Sequence, residues 1–125
     1  MRRPRNINIL TLMRYQWPVT AIASILHRIS GVVLFLLFPL LIYLLAVSVH
    51  SPAGFNLVSG FLCGAWCKFF LWATLSALTY HVIAGIKHLL MDCGWFETLF
   101  SGTLSSAIVI VLSFLIIILL GVWLW

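Results

Sequence analysis

Residues 69–92 read FFLWATLSALTYHVIAGIKHLLMD, and this stretch decides the class of the chain. Its first part, 69–86, carries no charge and matches the ~18–20 residues one helix needs to cross a bilayer. A histidine, His81, nevertheless lies inside the run, which then ends in Lys87, His88 and Asp92. Ionisable side chains are costly in hydrocarbon and mark sites of function by default. His81 is therefore the residue to explain, and the remaining segments can be read as holding or completing its site.

Two further charge-free windows, 29–49 and 98–125, flank this one. The whole chain of 125 residues is 64% hydrophobic and 7% charged, with a mean hydropathy of +1.21. So few polar groups cannot cover the surface of a soluble domain of this size. Strand-like alternation is absent, which disfavours a membrane β-barrel. The expectation is an all-α membrane protein. A lead-in (1–18) precedes a transmembrane domain (19–125), an up-down bundle of three transmembrane helices at about 19–49, 58–91 and 104–123.

The net charge is +5, but its placement says more than its sum. Arg2, Arg3, Arg5, Arg14 and Arg28 are five of the seven basic residues, and no Lys or Arg follows Lys87. The positive-inside rule puts the N-terminus and the 88–102 connection in the cytoplasm and the C-terminus outside. The basic start reads as a topology signal and not as a nucleic-acid-binding arm. It resembles neither a cleavable signal peptide nor a mitochondrial presequence, so a bacterial inner (cytoplasmic) membrane is expected. Cys63, Cys67 and Cys93 lack Cys-x-x-Cys or any four-ligand spacing, which argues against zinc or iron–sulfur binding by this chain alone. Cys63 and Cys67, at i,i+4, read as small packing residues of one helix.

Along the chain, Trp17-Pro18 marks the start of the first helix, with Trp at the headgroups and Pro in a first turn. Pro39 predicts a bend. Residues 50–56 read as an external turn with a solvated His50, and 94–97 as a short inner connection. Lys68 can reach the outer interface. The third helix, nearly all Ile, Leu and Val, reads as scaffold.

In the first helix Ser24 and Arg28 are at i,i+4 and share a face, with His27 on the adjoining edge. The arginine can simply snorkel to the headgroups. Alternatively, Arg28 and His27 bind an anion in a polar pocket while Ser24 offers a hydroxyl to a small ligand. His81 and His88 are seven residues apart, on nearly one face but roughly 10 Å apart along it. That separation is too large for two ligands of one ion and suits a haem, with iron on one imidazole and propionates at the interface. A neutral His81 hydrogen-bonded to a neighbouring helix satisfies the same spacing. Gly85, one turn on, leaves room for a flat ring or a close helix. Counted along its own helix, His27 falls near the interface, so this chain offers no second histidine at the depth of His81. A six-coordinate haem then needs a histidine from another chain.

The two patterns Ser24-x-x-His27-Arg28-x-Ser30-Gly31 and His81-x-x-x-Gly85-Ile86-Lys87-His88-x-x-Met91-Asp92-x-Gly94 resemble those of the large cytochrome b membrane-anchor subunit of succinate dehydrogenase (complex II), closest to the bacterial ubiquinone-reducing type. The likeness runs from Trp17-Pro18 to the third helix. It implies that His81 is an axial ligand of the iron of haem b, the other axial histidine coming from a second, smaller cytochrome b anchor subunit. It implies that Ser24 and Arg28 line the ubiquinone pocket, and that His27, Arg28 and His88 lie near the haem propionates. A flavoprotein subunit and an iron–sulfur subunit are the further partners it implies, with membrane lipid around the bundle. The chain would then be a non-flavin part of a succinate:quinone oxidoreductase, not catalytic alone. Lys87 stands where the family often has Arg, which keeps the charge but loses a bidentate fork. The start Arg5-Asn6-Ile7-Asn8 departs from relatives as well. Two other readings are a fumarate reductase anchor that oxidises menaquinol and a non-redox packing subunit of a membrane complex.

Overall fold

The first helix, α1 (Val19–His50), starts directly after Pro18, whose carbonyl accepts from the backbone N–H of Ala21 and Ile22. The computed structural model describes residues 17–125, so most of the 1–18 lead-in, with Arg2, Arg3, Arg5 and Arg14, lies outside the described residues. Helix α1 runs through Pro39 unbroken for 32 residues, or about 48 Å at 1.5 Å per residue. That exceeds the ~30 Å hydrocarbon core, so one end must lie in the headgroup layer or the helix must tilt.

The second hydrophobic segment differs from the single helix expected at 58–91. It forms two helices, α2 (Pro52–Leu62) and α3 (Ala65–Asp92). The 50–56 turn shrinks to Ser51, whose Oγ accepts from the Gly54 N–H at 3.0 Å while Pro52 occupies the first turn. This is a serine N-cap followed by proline, so the same residues that signal a turn start a helix. At Gly64 the backbone becomes extended and the helix restarts. Cys63 thus falls in the break, and it does not share a helix with Cys67 as the i,i+4 spacing suggests. All three cysteines are free.

Helix α3 ends in a Schellman turn. The Trp95 N–H donates to the Leu90 carbonyl at 3.0 Å and the Gly94 N–H to Met91 at 2.9 Å, with Gly94 at φ +84°. Only a residue tolerant of positive φ fits there. The last helix, α4 (Leu99–Leu124), begins five residues before the expected 104, because Thr98 Oγ1 caps it by accepting from the Ser101 N–H at 3.1 Å.

Helices α1, α3 and α4 are each long and apolar enough to span a membrane. They form an all-α bundle in which α3 packs against both α1 and α4, while α2 folds back on the end of α1. The bundle interior is mostly small and polar: Ala23, Ser30, Thr74, Ala84, Lys87, Gly102, Ser105, Ser106 and Ser113 are buried, with Tyr80 and Val109 packed around Ala84. Large apolar side chains such as Phe35, Leu36, Phe114 and Val122 face outward. That inversion is how helices pack in lipid, where small residues allow close approach and hydroxyls bond across helices.

At the end of the bundle away from the histidines, Lys68 Nζ donates to the Leu124 carbonyl at 3.3 Å and Trp72 Nε1 to that of Ile117 at 3.0 Å. Both tie α3 to the last turns of α4, so Lys68 satisfies a helix C-terminus whose carbonyls lack ladder partners.

Candidate functional site

Helix α1 crosses α3 at Ala23, whose carbonyl accepts from the buried Tyr80 hydroxyl at 3.0 Å. One residue beyond Tyr80, the His81 ring meets the α1 backbone. Its Nδ1 lies 3.2 Å from the His27 carbonyl oxygen and 3.1 Å from Ser30 Oγ. Ser30 Oγ itself donates to that carbonyl at 2.8 Å. A lone pair on Nδ1 would face a carbonyl that can only accept, so the proton of a neutral His81 sits on Nδ1. Ser30 has given its own proton to the carbonyl, and its oxygen can share the Nδ1 proton. The Nε2 lone pair of His81 is then left available, and Nε2 makes no hydrogen bond among the described residues.

His27 occupies the space between the two histidines of α3. Its ring stacks on His81, with centroids 4.3 Å apart and planes 21° apart, and lies 5.1 Å from the tilted His88 ring. Depth counted along each helix separately sets His27 apart from His81. The offset between α1 and α3 corrects that and brings the rings into contact. The correction adds no second axial ligand from this chain, because face-to-face rings cannot direct nitrogens at opposite sides of one iron. Among the described residues no three His, Cys, Asp or Glu converge on a metal-sized point.

The close approach depends on Gly31 and not on Gly85. A Cβ on Gly31 would lie 2.9 Å from His81 Cε1, so any side chain there displaces the ring. One on Gly85 would lie 3.6 Å from His27 Nε2, ordinary contact. That Nε2 is itself buried and has no hydrogen-bond partner among the described residues. An orphaned polar atom of this kind is rare enough to need an explanation, such as an absent ligand.

Ser24 and Arg28 lie one turn apart on α1, Ser24 half-buried and Arg28 exposed, and neither makes a side-chain hydrogen bond among the described residues. His88 is half-buried and Asp92 exposed. Lys87 turns the other way: it is buried against α4, and its Nζ donates to Ser106 Oγ at 2.9 Å, which in turn donates to the Gly102 carbonyl at 2.8 Å. The third span therefore carries a polar partner for α3 as well as scaffold. A groove of about 570 Å³ lies at the opposite end between α1, α2 and α3, lined by residues including Leu41, Phe61 and Trp66. It is apolar and remote from the histidines.

Sequence reading passes over Ser30, Tyr80 and Ser106 as site residues. A usable signal existed for Ser30, since i+3 from His27 puts its hydroxyl at that residue's carbonyl. None existed for Ser106, whose partner comes from another helix.

A family model described as succinate dehydrogenase/fumarate reductase transmembrane subunit matches residues 1–120 of the chain. The chain is 44% identical over 125 residues to the succinate dehydrogenase cytochrome b556 subunit of Coxiella burnetii, covering 99% of this chain and 98% of that relative. It is 35% identical to the corresponding b556 subunit of Paracoccus denitrificans over 67% of this chain and 65% of the relative. Against the succinate dehydrogenase cytochrome b560 subunit of Reclinomonas americana the identity is 34%, over 81% of this chain and 74% of the relative.

Proposed function

The chain belongs to the succinate dehydrogenase/fumarate reductase transmembrane-subunit family, and from that premise we propose that it holds haem b jointly with a second anchor subunit and lines a ubiquinone-reduction site. It is a multi-pass inner-membrane protein and a non-flavin component of an enzyme complex, not an enzyme by itself. The relatives described above are succinate dehydrogenase subunits, which favours that direction of electron flow over a fumarate reductase anchor or a non-redox packing subunit.

One observation carries the haem assignment: His81 directs its Nδ1 proton to the α1 backbone, and among the described residues neither its Nε2 nor the buried Nε2 of His27 has a hydrogen-bond partner. A ligating Nε2 needs that tautomer, and the buried Nε2 of His27, when it carries the ring proton, can donate to a propionate oxygen. His81, His27, Arg28 and His88 would hold the haem from this chain, and a histidine of the second anchor subunit would hold it from the other. When bound, haem b would supply one-electron storage.

Ubiquinone accepts hydrogen bonds at two carbonyl oxygens and takes up two electrons and two protons to become the quinol. The Ser24 hydroxyl donates to one carbonyl, and Arg28 holds a fixed positive charge near the oxygen on which negative charge builds. Donors set in place before the electrons arrive act most strongly where water is scarce. The electrons come from succinate through the flavoprotein and iron–sulfur subunits, which dock on the cytoplasmic face. The basic start of the chain favours that orientation under the positive-inside rule.

The deciding measurement is the dithionite-reduced visible spectrum of the purified complex carrying His81→Leu. Loss or alteration of the b-type absorption is expected, and an unchanged spectrum overturns axial ligation by His81.

A further inference from the structure

We propose that Ser30 is a positioning residue for the haem ligand, setting both the orientation of His81 and the electron density at its Nε2. The inference rests on the assignment of His81 as an axial ligand and extends it to a residue that touches neither iron nor quinone.

Ser30 is buried, and its hydroxyl closes a three-membered circuit between the two helices. It donates to the His27 carbonyl at 2.8 Å, stands 3.1 Å from His81 Nδ1, and that Nδ1 lies 3.2 Å from the same carbonyl. With its proton directed to the carbonyl, Ser30 Oγ meets Nδ1–H as an acceptor. The Nδ1 proton is therefore shared between two oxygens, one held by the helix backbone and the other by Ser30. The carbonyl alone fixes the tautomer; the hydroxyl adds the second point that fixes rotation of the ring about χ2. Gly31 leaves the ring the room this position needs, since a Cβ there would stand 2.9 Å from Cε1.

A ligating imidazole whose outer N–H is bonded is a stronger donor to the metal, and such outer partners typically change metal affinity ~10–100-fold when removed. Two acceptors on Nδ1–H make Nε2 more basic than one does. Oxidised iron, which gains most from a basic ligand, is favoured, so Ser30 holds the midpoint potential of the haem down.

The test uses the purified intact complex with Ser30→Ala, the isosteric pair Ser30→Thr and Ser30→Val, and His81→Leu as reference. Redox titration of the haem and haem transfer to apomyoglobin are the readouts. Ser30→Ala is expected to raise the midpoint potential and speed haem loss about tenfold, while Ser30→Thr, which keeps the hydroxyl, stays near wild type and Ser30→Val follows Ala. A wild-type potential and loss rate in Ser30→Ala overturns the proposal. If Ser30→Ala fails to assemble, equal potentials in the Thr and Val variants overturn it. Should those variants be silent while His81→Leu loses its spectrum, only the role of Ser30 falls; an unchanged His81→Leu spectrum removes both assignments.

Discussion

The rings of His27 and His81 stack with centroids 4.3 Å apart, although 54 residues of chain separate them. The contact joins α1 to α3 through backbone as well as side chain, since His27 offers His81 its carbonyl oxygen and its ring face together. The two contributions are separable by mutation, because the carbonyl survives any substitution at 27.

His27→Phe keeps a flat ring between His81 and His88 but removes the buried Nε2. The complex is expected to assemble with near-normal haem content and a lowered midpoint potential, since a propionate without a donor favours oxidised iron. His27→Ala also empties the space between the rings, at a cost on the order of 1–2 kcal/mol for a partly buried side chain, and should lose haem during purification. Pyridine haemochrome content and redox titration distinguish the two; equal haem content in both variants would show that ring packing contributes nothing.

Ser24 and Arg28 make no side-chain hydrogen bond among the described residues, so the proposed quinone chemistry should depend on them more than stability does. Arg28→Leu is expected to lower ubiquinone reductase activity by about a hundredfold, the scale of losing a charge-stabilising donor. Ser24→Ala should cost about tenfold, or ~1.4 kcal/mol, as for one hydrogen bond. Succinate oxidation with a water-soluble dye that bypasses the membrane should be unchanged in both. Parallel loss of dye and quinone activity would sink the assignment.

The three spans were legible because hydropathy over a whole helix is a sum, insensitive to where each side chain points. His81 was legible for the opposite reason: a single ionisable group in hydrocarbon stands out alone. Its contact with His27 was not, because the vertical offset of two helices is set by packing at Ala23, Tyr80 and Gly31 and appears in neither segment by itself. The Ser51-Pro52 cap is ambiguous in the sequence, since Ser-Pro satisfies turn and N-cap rules equally and only the residues after it decide. The inward serines of α4 were hidden among aliphatics, whose bulk dominates the hydropathy of that span while the hydroxyls dominate its packing.

Gly31 and Gly60 offer a matched comparison of two helical glycines. A methyl at Gly31 would stand 2.9 Å from His81 Cε1, whereas nothing lies within 4 Å of one at Gly60. Gly31→Ala is expected to push the His81 ring off its two oxygens and reduce haem content several-fold, as overpacking at a rigid contact does. Gly60→Ala should leave the spectrum unchanged and favour α2 by about 0.5–1 kcal/mol. Normal haem in Gly31→Ala would mean that the ring is free to shift without loss of ligation.

Lys87 and Ser106 test whether the polar interior of the bundle contributes stability or only tolerates a charge. The ammonium is buried, and Ser106 Oγ is its one hydrogen-bond acceptor among the described residues, at 2.9 Å. Removing the acceptor alone leaves a buried donor unsatisfied, a cost of about 1–3 kcal/mol. Removing the lysine leaves Ser106 still bonded to the Gly102 carbonyl, so little is stranded. Ser106→Ala should therefore lower the unfolding temperature of the detergent-solubilised complex more than Lys87→Met does. In the Lys87→Met background, Ser106→Ala should cost almost nothing, because the group it would strand is gone. If Lys87→Met is instead the more damaging change, the lysine has a partner beyond this chain, and a carboxylate of a neighbouring subunit becomes the candidate to examine.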